Sequence, residues 1–478
     1  MTGSVGNLAW KADTDRPNIV LMLADNIGFG DLGCYGSGGD LRGMPTPHLD
    51  DLAEKSLMLT QFFVEPGCTP SRAGLMTGRY SVRSGLNSII VAGTPSTLQE
   101  GELTLAEICK ENGYSTGMVG KWHLGEDAQS IPTKQGFDSY RLGILETTDA
   151  TLYPQTMRRS GMSEEQIEAA QSHIWESNDD GSLRRVRPYD LEYRRHVESD
   201  IADAATSFIK EKSADDDPFF LYVGWSHVHY PEGAHSDFEN RSSSGPYGDM
   251  LMEHDHRVGQ VVAAVEAAGV RDNTIIIYLS DNGPVQNQVI STDFKGSSPG
   301  PFRGEVGDVL EGSLRVPGMV SWPGNIPARK SNEMVSIHDF VPTIAGMLGS
   351  KLPDDRAYDG VNQWTFFVGE SEQSNRDHLI SFIGGEIAAV RWKQWRLYPK
   401  QVIQSQTNPS SLGVCAYRVE GMGYPSIFHI ERDPREEFNV VGTCAWVLGP
   451  YMKIVGNYLT SIKEHPNPPT FSMTSFPQ

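Results

Sequence analysis

The run NIVLMLAD (residues 18–25), with Asn26 behind it, is apolar without interruption and then stops on two polar side chains. A strand with one wet face alternates apolar and polar residues; an unbroken run of this length belongs to a strand covered on both faces, as in a parallel sheet. Three other runs have the same texture: STGMVGKWHLG (115–125), PFFLYVGWSHVHYP (218–231) and NTIIIYLSDNG (273–283). The stretches between them have helical spacing: TPHLDDLAEKS (46–56), with Thr46 as cap and Pro47 in the first turn, YRRHVESDIADAATSFIKEK (193–212) and GDMLMEHDHRVGQVVAAVEAAG (248–269). Strands alternating with helices predict an α/β fold: a large mixed, mostly parallel sheet sandwiched by helices.

The texture changes near Asp377. HLISFIGGEIAAVRWKQWRLYPK (378–400) and SIFHIERDPREEFNVVG (426–442) read as antiparallel strands, and GPYMKIVGNYLTSIKEH (449–465) as a helix. A chain of 478 residues is too long for one ordinary core. The expected division is therefore a catalytic α/β domain over 1–376 and, over 377–478, a smaller C-terminal α+β unit built on an antiparallel sheet. Residues 145–190 are polar and irregular and read as an excursion from the sheet edge, partly a substrate-facing loop.

A net charge of −21 argues against nucleic acid or an anionic membrane as partner, and no segment approaches the length of a membrane span. The cysteines, Cys34, Cys68, Cys109, Cys415 and Cys444, are odd in number and contain no CxxC pair, which fits a reducing compartment. The N-terminal stretch carries no signal peptide, so the expectation is cytoplasmic; a chain whose leader has been removed reads the same.

Each of the four runs ends in side chains of catalytic type: Asp25 and Asn26; Lys121 and His123; His227 and His229; Asp281 and Asn282. Ligands of open parallel sheets bind outside the carboxyl ends of the strands, so if the four are neighbours these side chains meet in one crevice. Two Asp-Asn pairs supply hard oxygen donors, which suit calcium or magnesium rather than zinc or copper. Either pair alone reads equally well as a loop cap; it is their occurrence at matching strand ends that points to a metal. Arg72, Lys121, His123 and a histidine of SHVHYP form a cationic set suited to a multiply charged oxyanion.

In GCTPSRAGLMTGRY (67–80), Pro70 marks the first turn of a helix and sets Cys68 at its N-terminus, where free amides and the dipole favour negative charge. Arg72 follows at i+4 on the same face. The expectation is a thiol of depressed pKa. A cysteine hydrolase would pair it with a histidine and use no metal, which the oxygen pairs fit poorly.

CTPSRAGLMTGR (68–79) resembles the type I sulfatase signature, C-x-P-S-R-x-x-L-x-x-G-R, at every fixed position. LADNIGFGDLGCYG (23–36), MVGKWHLG (118–125), HYP (229–231), SDNGP (280–284), EGSLRVPGMVSWPG (311–324) and IFHIERDPREEFNVV (427–441) are similar to other elements of that family, in order. The resemblance implies an arylsulfatase-like, formylglycine-dependent sulfuric ester hydrolase of the alkaline phosphatase superfamily. It implies that Cys68 is converted by a formylglycine-generating enzyme to an aldehyde whose hydrate attacks sulfur. It implies one divalent ion, calcium with magnesium as the alternative, on Asp25, Asn26, modified Cys68, Asp281 and Asn282. Arg72 would fix the hydrated aldehyde, Lys121 and His123 would contact it and the sulfate, and His229 would be the general acid. His227 would be a substrate contact or the alternative acid.

Two positions depart from the family pattern. Asn26 stands where an aspartate is usual, and Val306 where a sulfate-binding lysine is usual; Lys295, or less directly Arg303, is the expected replacement. The organic half of the substrate is expected to be a small aryl or alkyl group, chosen by the 145–190 and 284–305 loops, with Asp149, Arg184 and Arg185 as candidate contacts. A phosphonate monoester or phosphodiester hydrolase of the same superfamily, and a non-catalytic binding protein on the same scaffold, are the alternatives.

Overall fold

A computed structural model describes residues 16–91, 95–146, 154–285, 296–404 and 417–469. The strands, in chain order, are β1 (Asn18–Ala24), β2 (Leu57–Phe63), β3 (Ser115–Lys121), β4 (Ser139–Ile144), β5 (His173–Ser177), β6 (Leu183–Pro188), β7 (Phe219–Gly224), β8 (Thr274–Ser280), β9 (Arg315–Ser321) and β10 (Arg329–Ser336). They form one sheet in the order β10-β2-β9-β8-β1-β7-β3-β4-β5-β6. The four runs singled out by their unbroken apolar texture are the adjacent strands β8, β1, β7 and β3, all parallel. β1, β7 and β8 are buried at every position, as their lack of alternation requires.

Register aligns the strand ends. Leu23 lies beside Gly224 on one side and Leu279 on the other, and Gly120 also lies beside Gly224. The ladder continues past the strands: Asp281 N–H donates to the Ala24 carbonyl (3.1 Å), and Asp25 N–H to that of His227 (3.0 Å). Side chains just beyond these ends therefore share one edge of the sheet.

Helices α1 (Pro47–Glu54), α2 (Cys68–Thr77), α3 (Leu105–Glu111), α4 (Val197–Lys212), α5 (Pro246–Ala267) and α6 (Phe340–Leu348) cover the sheet. One core packs α2, α3 and α6 against one set of strand side chains; the other packs α1, α4 and α5 against the alternate set. The expected Thr46 cap does not form; Asp255 of α5 accepts from the His48 (3.2 Å) and Leu49 (2.8 Å) amides instead. Within 145–190, an antiparallel hairpin, β5-β6, extends the sheet edge where the sequence suggested only an excursion.

β11 (His378–Ile383), β12 (Glu386–Trp392), β13 (Trp395–Gln404) and β14 (Tyr417–His429) form a separate antiparallel sheet, with α7 (Leu448–Glu464) packed on it. Glu311, just before β9, joins the two sheets. Its Oε2 accepts from Arg391 (3.1 Å) and Arg396 (2.7 Å) of the small sheet, and its Oε1 from Arg315 (3.3 Å). No helix among the described residues is long and apolar enough to cross a membrane.

Candidate active site

Cys68 is the first residue of α2, preceded by extended Gly67, and every residue of the helix is buried. Pro70 falls within the first turn, where an amide has no helical partner to lose. One ligand atom each of Asp25, Cys68 and His229 lies within 4.8 Å of the other two. The strand ends and the helix terminus thus meet at one point, as the placement of polar residues predicted.

Arg72 ties this point together. Its Nε (3.1 Å) and Nη2 (2.9 Å) donate to Asp281 Oδ2, Nη2 lies 3.6 Å from Asp25 Oδ2, and Nη1 donates to the Lys121 carbonyl (2.7 Å) and the Tyr222 hydroxyl oxygen (3.3 Å). Lys121 Nζ donates to Asp25 Oδ2 (2.5 Å). His123 Nε2–H donates to the Ile90 carbonyl (2.8 Å), and His229 Nδ1–H to the Tyr230 carbonyl (2.7 Å), contacts that fix both tautomers. Asn26 holds a left-handed backbone (φ 62°), its N–H donates to Asp281 Oδ1 (3.3 Å), and its Oδ1 accepts from Asn282 Nδ2 (2.6 Å).

Charge is dense here, and the groups that carry it are buried. Burial pushes the Asp25 carboxyl up, but Lys121, His229 and Arg72 outweigh it and hold it below the usual range. Burial and the neighbouring Asp25 charge push Asp281 up. Burial opposes the charge of Lys121, yet Asp25 keeps it above its ordinary value; burial and then Lys121 drive His123 far down, leaving it a neutral imidazole. Burial pushes the Cys68 thiol up to about 12, against the pull of Lys121. The expected low-pKa thiol is therefore not found: the thiol is buried, and desolvation of the thiolate, with Asp25 and Asp281 beside it, exceeds what Lys121 and Arg72 return.

Two oxygens decide whether a cation fits. Asp25 Oδ1 and Asn282 Oδ1 are buried and have no hydrogen-bond partner among the described residues. Such atoms are costly unless something satisfies them, and a hard divalent ion does. The donor set Asp25, Asn26, Asp281 and Asn282 fits such an ion.

His227 is placed differently from the expectation that put it on the substrate. Its Nδ1 faces Arg194 Nη1 (3.2 Å) and its Nε2 faces Glu253 Oε2 (3.2 Å), in full burial. Arg194 also donates to Ser226 Oγ (2.8 Å), the Ser226 carbonyl (3.3 Å) and the His229 carbonyl (2.7 Å). Glu198 of α4 accepts from the Ser226 (3.3 Å) and His227 (2.9 Å) amides. Burial raises the Glu198 carboxyl, but His227, His254 and Arg194 pull it down to about 2. These supports were not visible in YRRHVESD, which carries only a helical spacing.

Val306 packs in a small apolar cluster with Tyr230 and Val285, and the Tyr230 ring stacks on His229 at 4.4 Å. Arg303 turns away and donates to the Glu436 carbonyl (3.1 Å). Lys295 and Asp149 lie outside the described residues. Arg184 pairs with Glu176 and Arg185 sits over the Trp175 ring (5.4 Å), both on the edge hairpin.

The family model described as Sulfatase matches residues 17–350. The chain is 31% identical to rat steryl-sulfatase, over 88% of this chain and 84% of that protein. It is 32% identical to human arylsulfatase A, over 90% and 84%. Its fold is similar to the crystal structure of PsFucS1 sulfatase from Pseudoalteromonas sp., with a TM-score of 0.87 and 27% identity over 96% of this chain and 92% of that one.

Proposed function

The chain belongs to the sulfatase family and hydrolyses sulfate esters, and we propose that it does so through a formylglycine made from Cys68, beside one divalent ion, on small aryl or alkyl sulfates. The observation that carries this reading is the pair of buried, unpartnered oxygens, Asp25 Oδ1 and Asn282 Oδ1, at the strand ends that Arg72 ties to α2. Calcium is the expected ion, with magnesium the alternative. Asp25, Asn26, Asp281, Asn282 and residue 68 would hold it; a carbonyl oxygen has two lone pairs, so Asn26 can accept from Asn282 and still serve. The ion and the modified residue would supply a hydroxyl nucleophile at neutral pH and neutralise charge on the sulfate oxygens.

The protein groups do the rest. Arg72 fixes Asp281 and α2 in one geometry, so the nucleophilic position is set before substrate arrives. Lys121, held charged by Asp25, faces the incoming anion. His123, neutral and anchored on Ile90, orients the hydrated aldehyde without adding charge. His229 is the general acid that gives a proton to the leaving oxygen. His227 supports the segment that carries it.

The apolar cluster of Tyr230, Val285 and Val306 beside His229 supports an aryl or alkyl leaving group. Relatives that are sulfatases do not favour the phosphorus-ester or binding-only alternatives. Free Cys34, Cys68, Cys109 and Cys444 support a reducing, cytoplasmic compartment, and the antiparallel sheet that begins at His378 supports reading 1–376 and 377–478 as two units. A formylglycine-generating enzyme is the implied partner. The test couples peptide mass spectrometry at Cys68 to turnover of matched aryl sulfate, phosphonate and phosphodiester. Sulfate turnover that scales with the converted fraction is expected; turnover by protein with an unmodified thiol, or a large phosphorus-ester preference, overturns the reading.

A further inference from the structure

LADNIGFGDLGCYG holds one acid that the chemistry above does not use. Asp31 is fully buried. Its Oδ2 accepts from the Gly28 amide (2.7 Å), the Tyr247 hydroxyl of α5 (2.8 Å) and Ser297 Oγ (2.5 Å), and its Oδ1 from Arg42 Nη1 (2.6 Å) and the Ser298 amide (2.9 Å). A carboxylate has about four lone-pair sites, so these donors occupy it and it is not itself a ligand. Three of the donors come from two stretches that are far apart in sequence: 26–31, which leaves β1 and carries Asn26, and 296–300. The two stretches touch backbone to backbone. Gly30 N–H donates to the Ser298 carbonyl (2.8 Å), a Cβ at 28 would lie 2.3 Å from the Ser298 carbonyl oxygen, and a Cβ at 30 would lie 2.4 Å from the Gly300 nitrogen. Glycine at both positions is what lets them close.

Three successive amides after β1 donate to side chains: Asn26 N–H to Asp281 Oδ1 (3.3 Å), Ile27 N–H to Ser280 Oγ (3.0 Å) and Gly28 N–H to Asp31. Ser280 and Asp281 stand at the end of β8. Asp31 is the third anchor, and the 296–300 stretch holds it in turn. Ser297 Oγ stands between the two stretches, hydrogen-bonded to Asp31 and 3.3 Å from the Asn26 carbonyl oxygen. Inside this frame Asn26 keeps its left-handed backbone (φ 62°), and from there its side chain reaches Asn282. We propose that Asp31 is a positioning residue for the divalent ion: through Gly28 and Ser297 it holds Asn26 in the geometry of a ligand, and it makes no contact with the ion itself. This rests on the metal-dependent reading above. Supports of this kind typically carry roughly 10- to 100-fold in metal affinity.

The experiment is calorimetric titration of calcium chloride, and separately magnesium chloride, into the full-length protein, with its degree of Cys68 conversion measured. Wild type is compared with Asp31→Asn, Ser297→Ala and Ser297→Thr, each shown to be folded by circular dichroism at the temperature of the titration. Val265→Ala, a buried change near the far end of α5, controls for loss of stability alone. Asp31→Asn keeps the shape of the side chain but removes its charge and half of its acceptors; it should weaken calcium binding at least about tenfold. Ser297→Ala should weaken it by about threefold or more, and Ser297→Thr, which keeps the hydroxyl, should stay within about twofold of wild type. The double variant Asp31→Asn with Ser297→Ala should lose less than the sum of the two, because both act along one path. Val265→Ala should lower Tm and leave the calcium Kd within about twofold. Asp31→Asn and Ser297→Ala proteins that bind calcium within about twofold of wild type overturn the proposal, as does an equal weakening in Val265→Ala. Wild type that binds neither ion overturns the metal-dependent reading itself, which is a different result from binding that is indifferent to the variants. If Asp31→Asn does not fold, the Ser297 pair decides the proposal.

Discussion

His229 is the residue whose role chemistry can isolate most directly. A proton delivered to the leaving oxygen matters in proportion to the basicity of that oxygen. His229→Ala should lower kcat by roughly 100-fold or more for alkyl sulfates and far less for 4-nitrophenyl sulfate. A series of aryl sulfates of rising leaving-group pKa measures this as a steeper dependence in the variant; an equal loss along the series would remove the acid role. Asp25, Asn26, Lys121, His123, Asp281 and Asn282 were legible in the sequence because each interrupts an unbroken apolar strand at its end. The state of Cys68 was not. A helix N-terminus and two cations lower a thiol, but the burial that outweighs them comes from strands and helices far away in the chain. His227 failed in the same way: its spacing from His229 is visible, but Arg194 and Glu253, which take its two nitrogens, come from helical stretches with nothing to mark them.

At the scale of elements, the segment Ser226–His229 is a short strand exit that holds its shape through the helical layer beside it. Arg194, at the end of a short helix before α4, reaches two of its carbonyls, and Glu198 reaches two of its amides. Arg194→Lys keeps the charge but cannot fork between these acceptors. Its kcat for an alkyl sulfate should fall about tenfold with KM little changed, and the loss should vanish in a His229→Ala background. An additive double mutant would show that Arg194 acts elsewhere. Such supports escape sequence reading because they run from side chain to backbone across elements. The cap of α1 teaches the same point. Thr46 has the right identity and position, yet Thr46 Oγ1 accepts from Gly33 N–H while Asp255, two hundred residues on, caps the helix. The β5-β6 hairpin was hidden for a different reason: on an exposed edge its strands carry polar side chains and lose the apolar texture that betrays the central ones.

At the scale of the whole molecule, Glu311 binds the two sheets into one body. Burial raises its carboxyl, but Arg391, Arg396 and Arg315 pull it down to about 2 from an ordinary 4.5. A depressed carboxyl contributes stability that is present in full above the unfolded value and is lost as pH falls through the folded one. Stability from this group is thus complete above about pH 4.5 and fades toward pH 2. Glu311→Gln should be less stable by roughly 3 kcal/mol at pH 7, because Arg391 and Arg315 lose the carboxylate they pair with and Arg396 keeps only Glu436, 3.6 Å away. The difference in urea midpoint between the two proteins should shrink as pH drops below about 4, where wild-type Glu311 also becomes neutral. A gap that stays constant down to pH 2 would assign the loss to packing. This joint was half legible: EGSLRVPG marked Glu311 and holds Arg315, while Arg391 and Arg396 lie in the strands of the small sheet and have no spacing of their own.

The burial of α2 also sets a schedule. An enzyme that acts on Cys68 needs access to a residue that is 2% exposed once the protein has folded. The sheet over it cannot close until β8 has left the ribosome, because β1 lies between β7 and β8. At ordinary rates of synthesis, the roughly 200 residues between Cys68 and Ser280 take about 10 to 40 s. That interval is the time open to a converting enzyme, and a chain that misses it folds around an unconverted thiol for the rest of its life.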